Sequence, residues 1–168
     1  MKINLLPAVL PAFFLFFGVR VFAQMPLDSV MVKPLKGAAV PFSSLVKKDT
    51  VVLLCFWSSG SESSIRELNA INAKFGSWKK LANFHLLAVC VDEGRDLGKL
   101  RPLVNAAGWT FEVCIDVDGN LRTAVHSAGL PQSMILYKNE PVYQQSGFEP
   151  GSEDDLIKRV QQAVILHR

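Results

Sequence analysis

The chain has 168 residues, of which 49% are apolar and 20% charged, and its formal net charge is +3. That length holds one ordinary domain, and the apolar content excludes wholesale disorder. The small charge, without any basic run, excludes a dedicated nucleic-acid binder; three cysteines are too few for a disulfide-stapled scaffold and lack zinc-site spacing.

The chain opens with Lys2 and an apolar run from Ile3 to Val19, interrupted by Asn4, Pro7, Pro11 and Gly18. Val21 and Ala23 suit the third-last and last positions before a signal-peptidase cut, so residues 1–23 read as a cleaved export signal. A retained membrane anchor is the competing reading. A spanning helix needs roughly 20 predominantly apolar residues, and this run is shorter, holds two prolines and closes at Arg20. Losing Lys2 and Arg20 lowers the 18 basic side chains to 16, against 15 acidic ones, so the mature charge balance asks for no acidic partner. The expected location is periplasmic or extracellular, with membrane contact only through an uncleaved leader. Such compartments are oxidising.

Residues 24–34 are polar, carry Pro26 and Pro34, and read as a loosely attached lead-in to a domain at 35–168. Residues 35–46, LKGAAVPFSSLV, alternate weakly around a glycine and predict a short hairpin. Val51–Trp57 is a continuous apolar run, as in a central strand covered on both faces. Ile65, Leu68, Ile71 and Phe75 then recur at helical spacing, preceded by serines and Glu62 of the kind that cap a helix start. Phe84–Val91 predicts a second buried strand ending at Asp92. A short helix follows, with Pro102 suited to its first turn. Phe111–Ile115 predicts a third strand, and Asp116–Asn120 a turn.

Residues 129–147 predict two strands around Lys138–Asn139–Glu140. Ser152 reads as the cap of a last helix, with Glu153, Asp154 and Asp155 at its positive end. Leu156, Val160 and Val164 give that helix a packing stripe. Alternating strands and helices predict an α/β fold with a parallel core, to which the late hairpin adds antiparallel strands.

Several segments together resemble the exported TlpA/ResA-type thiol–disulfide oxidoreductases of thioredoxin fold, over about residues 35–165. VVLLCFWSS resembles the strand that ends in Phe-Trp-Ala-Ser before the family's site. Asp92 closes the second strand as in the family, CIDVDGN resembles its Asp-x-x-Gly turn, and GLPQSMIL resembles its Gly-x-Pro-Thr-Thr-Phe segment. The resemblance implies a central mixed sheet flanked by helices, an N-terminal hairpin, a C-terminal helix and a cis Leu130–Pro131 bond. It also implies that the backbone at Leu130 pairs with extended polypeptide in the manner of an added strand.

Aligned on Phe56 and Trp57, the family's Trp-Cys-x-x-Cys falls on Gly60, Ser61 and Ser64, with Ser63 where proline is common. Disulfide exchange needs an attacking thiolate and a resolving thiol, and a serine hydroxyl can supply neither. Ser61 reads instead as a helix cap. A serine nucleophile would need a base, for which the candidates are His85, His126 and His167. Cys55, Cys90 and Cys114 lie in apolar strands, where free cysteine packs as a small hydrophobe.

The sequence therefore predicts an exported thioredoxin-like protein without the redox pair, using no cofactor or metal. It would bind a polypeptide or an envelope protein through Trp57, Gly60, Ser61, Ser64, Leu130 and Pro131. The alternatives are a working thiol–disulfide oxidoreductase that uses Cys55, Cys90, Cys114 or a partner's thiol, and a structural subunit of an envelope complex.

Overall fold

The computed structural model describes residues 26–94 and 97–167; the expected export signal at 1–23 lies outside them. The strands are β1 (Met31–Pro34), β2 (Val40–Pro41), β3 (Val51–Trp57), β4 (Phe84–Cys90), β5 (Glu112–Ile115), β6 (Gln132–Tyr137) and β7 (Glu140–Ser146). The helices are α1 (Phe42–Leu45), α2 (Glu62–Leu81), α3 (Leu97–Ala107), α4 (Asn120–Ala124) and α5 (Ser152–Leu166).

All seven strands form one sheet in the order β2-β1-β5-β4-β3-β6-β7. β3, β4 and β5 run parallel, while β6 and β7 add antiparallel strands beyond β3 and β1 pairs antiparallel with β5. The expected α/β architecture with a mixed sheet is therefore present. β3 is buried along its whole length because both of its faces are covered. Leu53, Cys55 and Trp57 face a layer built with α2, α3 and α5. Val52, Leu54 and Phe56 face the opposite layer, which includes Val30, Val32, Phe42 and Leu121.

The start of the domain corrects the sequence reading. Residues 26–34 are no loose lead-in: Val30 and Val32 are fully buried, and β1 lies between β2 and β5. Their polar count concealed a two-residue alternation, with Met31 and Lys33 exposed and the valines inward. The hairpin thus pairs Met31–Val32 with Val40–Pro41, and residues 42–45 form α1.

Two helix readings also change. Pro102 sits inside α3 rather than in its first turn, because the helix is already formed at Leu97. Its missing N–H lies on an exposed face. The cap of α5 is Gly151, at φ 98°, not Ser152, and the Glu153 carboxylate accepts the Gly151 N–H at 2.9 Å. The turn at Asp116–Asn120 leads into α4, where the buried Asp116 carboxylate accepts the N–H groups of Leu121 and Arg122 at 3.0 and 2.8 Å. The β6–β7 turn places Lys138 and Asn139 at φ 50° and 68°, the paired positive values of a two-residue hairpin.

Candidate functional site

β3 ends at Trp57, and the chain turns through Ser58–Gly60 into α2. The turn is fixed by Asp92, just past β4, whose carboxylate oxygens accept the Ser59 N–H at 3.2 and 3.0 Å. Burial alone would raise the Asp92 pKa, but hydrogen bonds from Ser58 and Ser59 hold it below its ordinary value. Ser61 caps α2 as the sequence predicts: its Oγ accepts the Ser64 N–H at 3.3 Å and the Ser64 hydroxyl at 2.9 Å. Glu62 lies in the first turn of α2 and Lys79 and Lys80 in the last, which suits the helix dipole.

The six expected binding residues do not share one surface. Gly60 is exposed, while Ser61 and Leu130 are partly exposed. Trp57 and Ser64 are fully buried and Pro131 is buried, so none of these three side chains reaches a partner. The Trp57 ring packs edge-on against Trp109, with centroids 4.9 Å apart. The apolar period of β3 carries Trp57 into the α2 layer, which takes its side chain out of the expected binding set.

Leu130–Pro131 is a cis bond, as the resemblance implies. Phe56 pairs with Gln132, so in that antiparallel register Trp57 and Ser58 leave the sheet beside Pro131 and Leu130. The Gln132 side chain shapes the approach: its Oε1 accepts the Ser127 hydroxyl at 2.6 Å and the Ala128 N–H at 2.9 Å. The Pro131 carbonyl accepts the Gly147 N–H at 2.8 Å. Among the described residues, the Leu130 N–H and C=O have no hydrogen-bond partner. A free donor and acceptor at the end of a strand are what an added extended chain requires.

Beneath the helix end lies a group that the sequence reading missed. Glu67 is buried one turn beyond Ser64, and its Oε1 accepts the Ser133 hydroxyl at 3.0 Å. The Ser133 Oγ also lies 3.3 Å from Cys55 Sγ. Glu67 Oε2 and Trp57 Nε1 are buried without partners. Burial pushes the Glu67 carboxyl up to about 7, against a smaller opposing effect of the Ser133 hydrogen bond. The available signal was spacing, since Glu67 stands three residues after Ser64 and four before Ile71 on the buried stripe of α2.

The three cysteines are buried and unpaired. Burial, followed by the nearby Glu67 charge, raises the Cys55 pKa; burial pushes Cys90 up to about 12 and raises Cys114 as well. Cys55 and Cys90 lie on neighbouring strands, but Cys55 pairs with Ala88 and Cys90 with Trp57. Cys114 faces the opposite layer. None lies at the start of α2, where a thiolate would be favoured.

No histidine serves Ser61 either. His85 pairs with Val52, five residues before the end of β3, and its Nε2 is 3.1 Å from Glu112 Oε2. His126 lines a cavity with Pro26, Asn139 and Glu140 at the β6–β7 turn, and His167 stacks on Tyr137 at that same far end of the sheet. Among the described residues, no three His, Cys, Asp or Glu side chains form a metal-binding group.

No family model and no curated protein matches the chain. Solved structures do. An uncharacterized thioredoxin-like protein from Porphyromonas gingivalis is 31% identical, with a TM-score of 0.69 over 84% of this chain and 92% of that one. A protein described as a DsbE thiol:disulfide interchange protein from Chlorobium tepidum is 24% identical, with a TM-score of 0.66 over 82% of this chain and 96% of that one. A secreted disulfide oxidoreductase from Mycobacterium tuberculosis is 17% identical, with a TM-score of 0.63 over 80% and 96%. The last two likenesses concern the fold alone. The first, together with the capped helix end beside a cis Leu130–Pro131 bond, establishes that the chain belongs to the thioredoxin-like family.

Proposed function

We propose that the protein is an exported, non-catalytic thioredoxin-like module that binds extended polypeptide and has lost disulfide exchange. The observation that carries this reading is the pairing of a serine-capped α2 with an unpartnered Leu130 backbone. Ser61 and Ser64 stand where exchange would need thiols, and their hydroxyls are spent on each other and on the helix cap. The Leu130 N–H and C=O are free for a partner's backbone. The accessible contact set is Ser58, Ser59, Gly60, Ser61 and Leu130, and a ligand pairs there as a short added strand. Export is supported by the leader-like residues 1–23 and by the secreted character of a similar protein.

A Cβ added at Gly60 meets only Ser58 Oγ, at an ordinary 3.7 Å, so Gly60→Arg keeps the fold while crowding the groove. Against an extended peptide selected from an array, this variant is expected to lose roughly tenfold or more in affinity, with an unchanged melting curve. Equal affinities would put binding elsewhere. The competing reading is an active oxidoreductase, the activity by which two of the similar proteins are described. Dithiothreitol-driven insulin reduction is expected to stay at background. Turnover abolished by replacing Cys55, Cys90 or Cys114 would favour that competitor.

A further inference from the structure

At the end of the sheet opposite Ser61, an open cavity of about 730 Å³ lies between the last turns of α2 and α5 and the start of β3. Leu81 is 58% exposed, Ile165 70% and Leu166 78%, the highest values among the large apolar side chains described. Leu81 and Ile165 line the cavity, and Leu166 adjoins them. The rim is basic. Lys79 and Lys80 stand in the wall, and Lys47 belongs to the turn whose Asp49 and Thr50 line it. Lys138 lies over the ring of Tyr137, which stacks on His167.

Among the described residues, none of these four lysines has a carboxylate within ion-pair distance. The acids at this end are Asp49, Glu140, Glu112, which lies 3.1 Å from His85, and Asp28, which lies 3.9 Å from Lys48. The Ser61 end is mixed in sign: Glu62, Glu93 and Glu149 are exposed there, with Arg66 4.0 Å from Glu62 and Arg122 donating to the Ser127 and Ala128 carbonyls.

The described residues also begin at the basic end. Asp28 accepts the Asn139 side-chain N–H at 2.6 Å, which ties the first described residues to the β6–β7 turn. Upstream are Val21–Met25 and then the apolar run that closes at Val19–Arg20. Five residues span at most roughly 17 Å, so Pro26 lies within that reach of the end of the apolar run.

We propose that this end is a docking surface for an anionic lipid bilayer. Leu81, Ile165 and Leu166 enter the headgroup layer, while Lys47, Lys79, Lys80 and Lys138 meet its negative charge. The Ser61 end, with the Leu130 groove, then points away from the membrane. This surface shares no residue with that groove and stands independently of what the groove binds.

The test uses a chain starting at Gln24, which keeps every described element and both apolar layers, sedimented with phosphatidylcholine vesicles with and without about one-third phosphatidylglycerol. Binding is expected only to the anionic vesicles, falling steeply between roughly 0.05 and 0.5 M salt. Lys79→Glu with Lys80→Glu is expected to weaken it by roughly tenfold or more, and Ile165→Ser with Leu166→Ser to weaken it severalfold. All the substituted residues are exposed, and circular dichroism checks that each variant is folded. Equal binding to neutral and anionic vesicles, no binding to either by folded protein, or wild-type binding by the Lys79/Lys80 variant would overturn the proposal. Absence of binding to either vesicle would leave the patch to a protein partner.

Discussion

Glu67 carries a carboxyl group into the layer between α2 and the sheet, where burial raises its pKa from 4.5 to about 7. Within that window the folded chain holds a proton that the unfolded chain has released. Stability from the neutral carboxyl is therefore complete below the unfolded value of 4.5 and is lost as pH rises through about 7. Full expression of the shift corresponds to about 3 kcal/mol. Asp92 moves the opposite way: its contribution is present above its ordinary 3.8 and is lost only as pH falls through its lower folded value, so the two windows do not overlap. Denaturant unfolding at pH 5 and pH 8 should show this loss in the native chain, and Glu67→Gln should remove most of the difference; an unchanged difference would mean that the carboxyl ionises freely. Also at this scale, Ser61 and Ser64 have hydroxyl oxygens 2.9 Å apart at the helix start. Ser61→Cys with Ser64→Cys should create a disulfide that forms and is reduced reversibly. The first thiol should titrate below the ordinary ~8.5, read from the pH dependence of its alkylation. A normal value would show that the dipole of α2 does not reach it.

At the scale of elements, β1 is the piece whose importance the composition hides. It bridges β2 and β5 and places Val30 and Val32 in the layer with Leu54, Phe56 and Leu87. Val32→Ala should cost about 2 kcal/mol, through lost burial and the cavity left behind. A loose lead-in would instead give a change within about 0.5 kcal/mol, so the denaturant midpoint discriminates between the two. α2 is held differently. Ser64, Glu67, Leu68, Ile71, Phe75 and Trp78 form its buried side, so packing dominates and the Ser61 cap adds only about 1 kcal/mol.

For the whole molecule, the sheet separates two ends of different character. One end presents Gly60, Ser61 and the free Leu130 backbone; the other presents exposed leucine and isoleucine among lysines. No helix among the described residues is long and apolar enough to cross a membrane. Intact-mass measurement of the native protein should find a chain beginning near Gln24. A mass that retains residues 1–23 would make the protein an anchored one and would leave the tertiary fold of 26–167 unaffected.

The sequence alone determined the elements whose evidence is local. The apolar runs of β3 and β4, the helical stripes of α2 and α5 and the β6–β7 hairpin were legible because each signal repeats within one short segment. The Ser61 cap was legible for the same reason, since donor and acceptor are three residues apart. The tertiary structure decided what depends on partners distant in the chain. Ser133 meets Glu67 across 66 residues, Asp92 reaches Ser59 across 33, and Val32 finds its layer only because β1 enters the sheet beside β5. Burial of Trp57 and Ser64, which takes both from the expected binding surface, likewise comes from α2 and α3 folding over β3. A residue's own neighbours fix its periodicity and its cap, but exposure and pKa are set by whatever other segments pack against it, and that is decided only when the sheet is assembled.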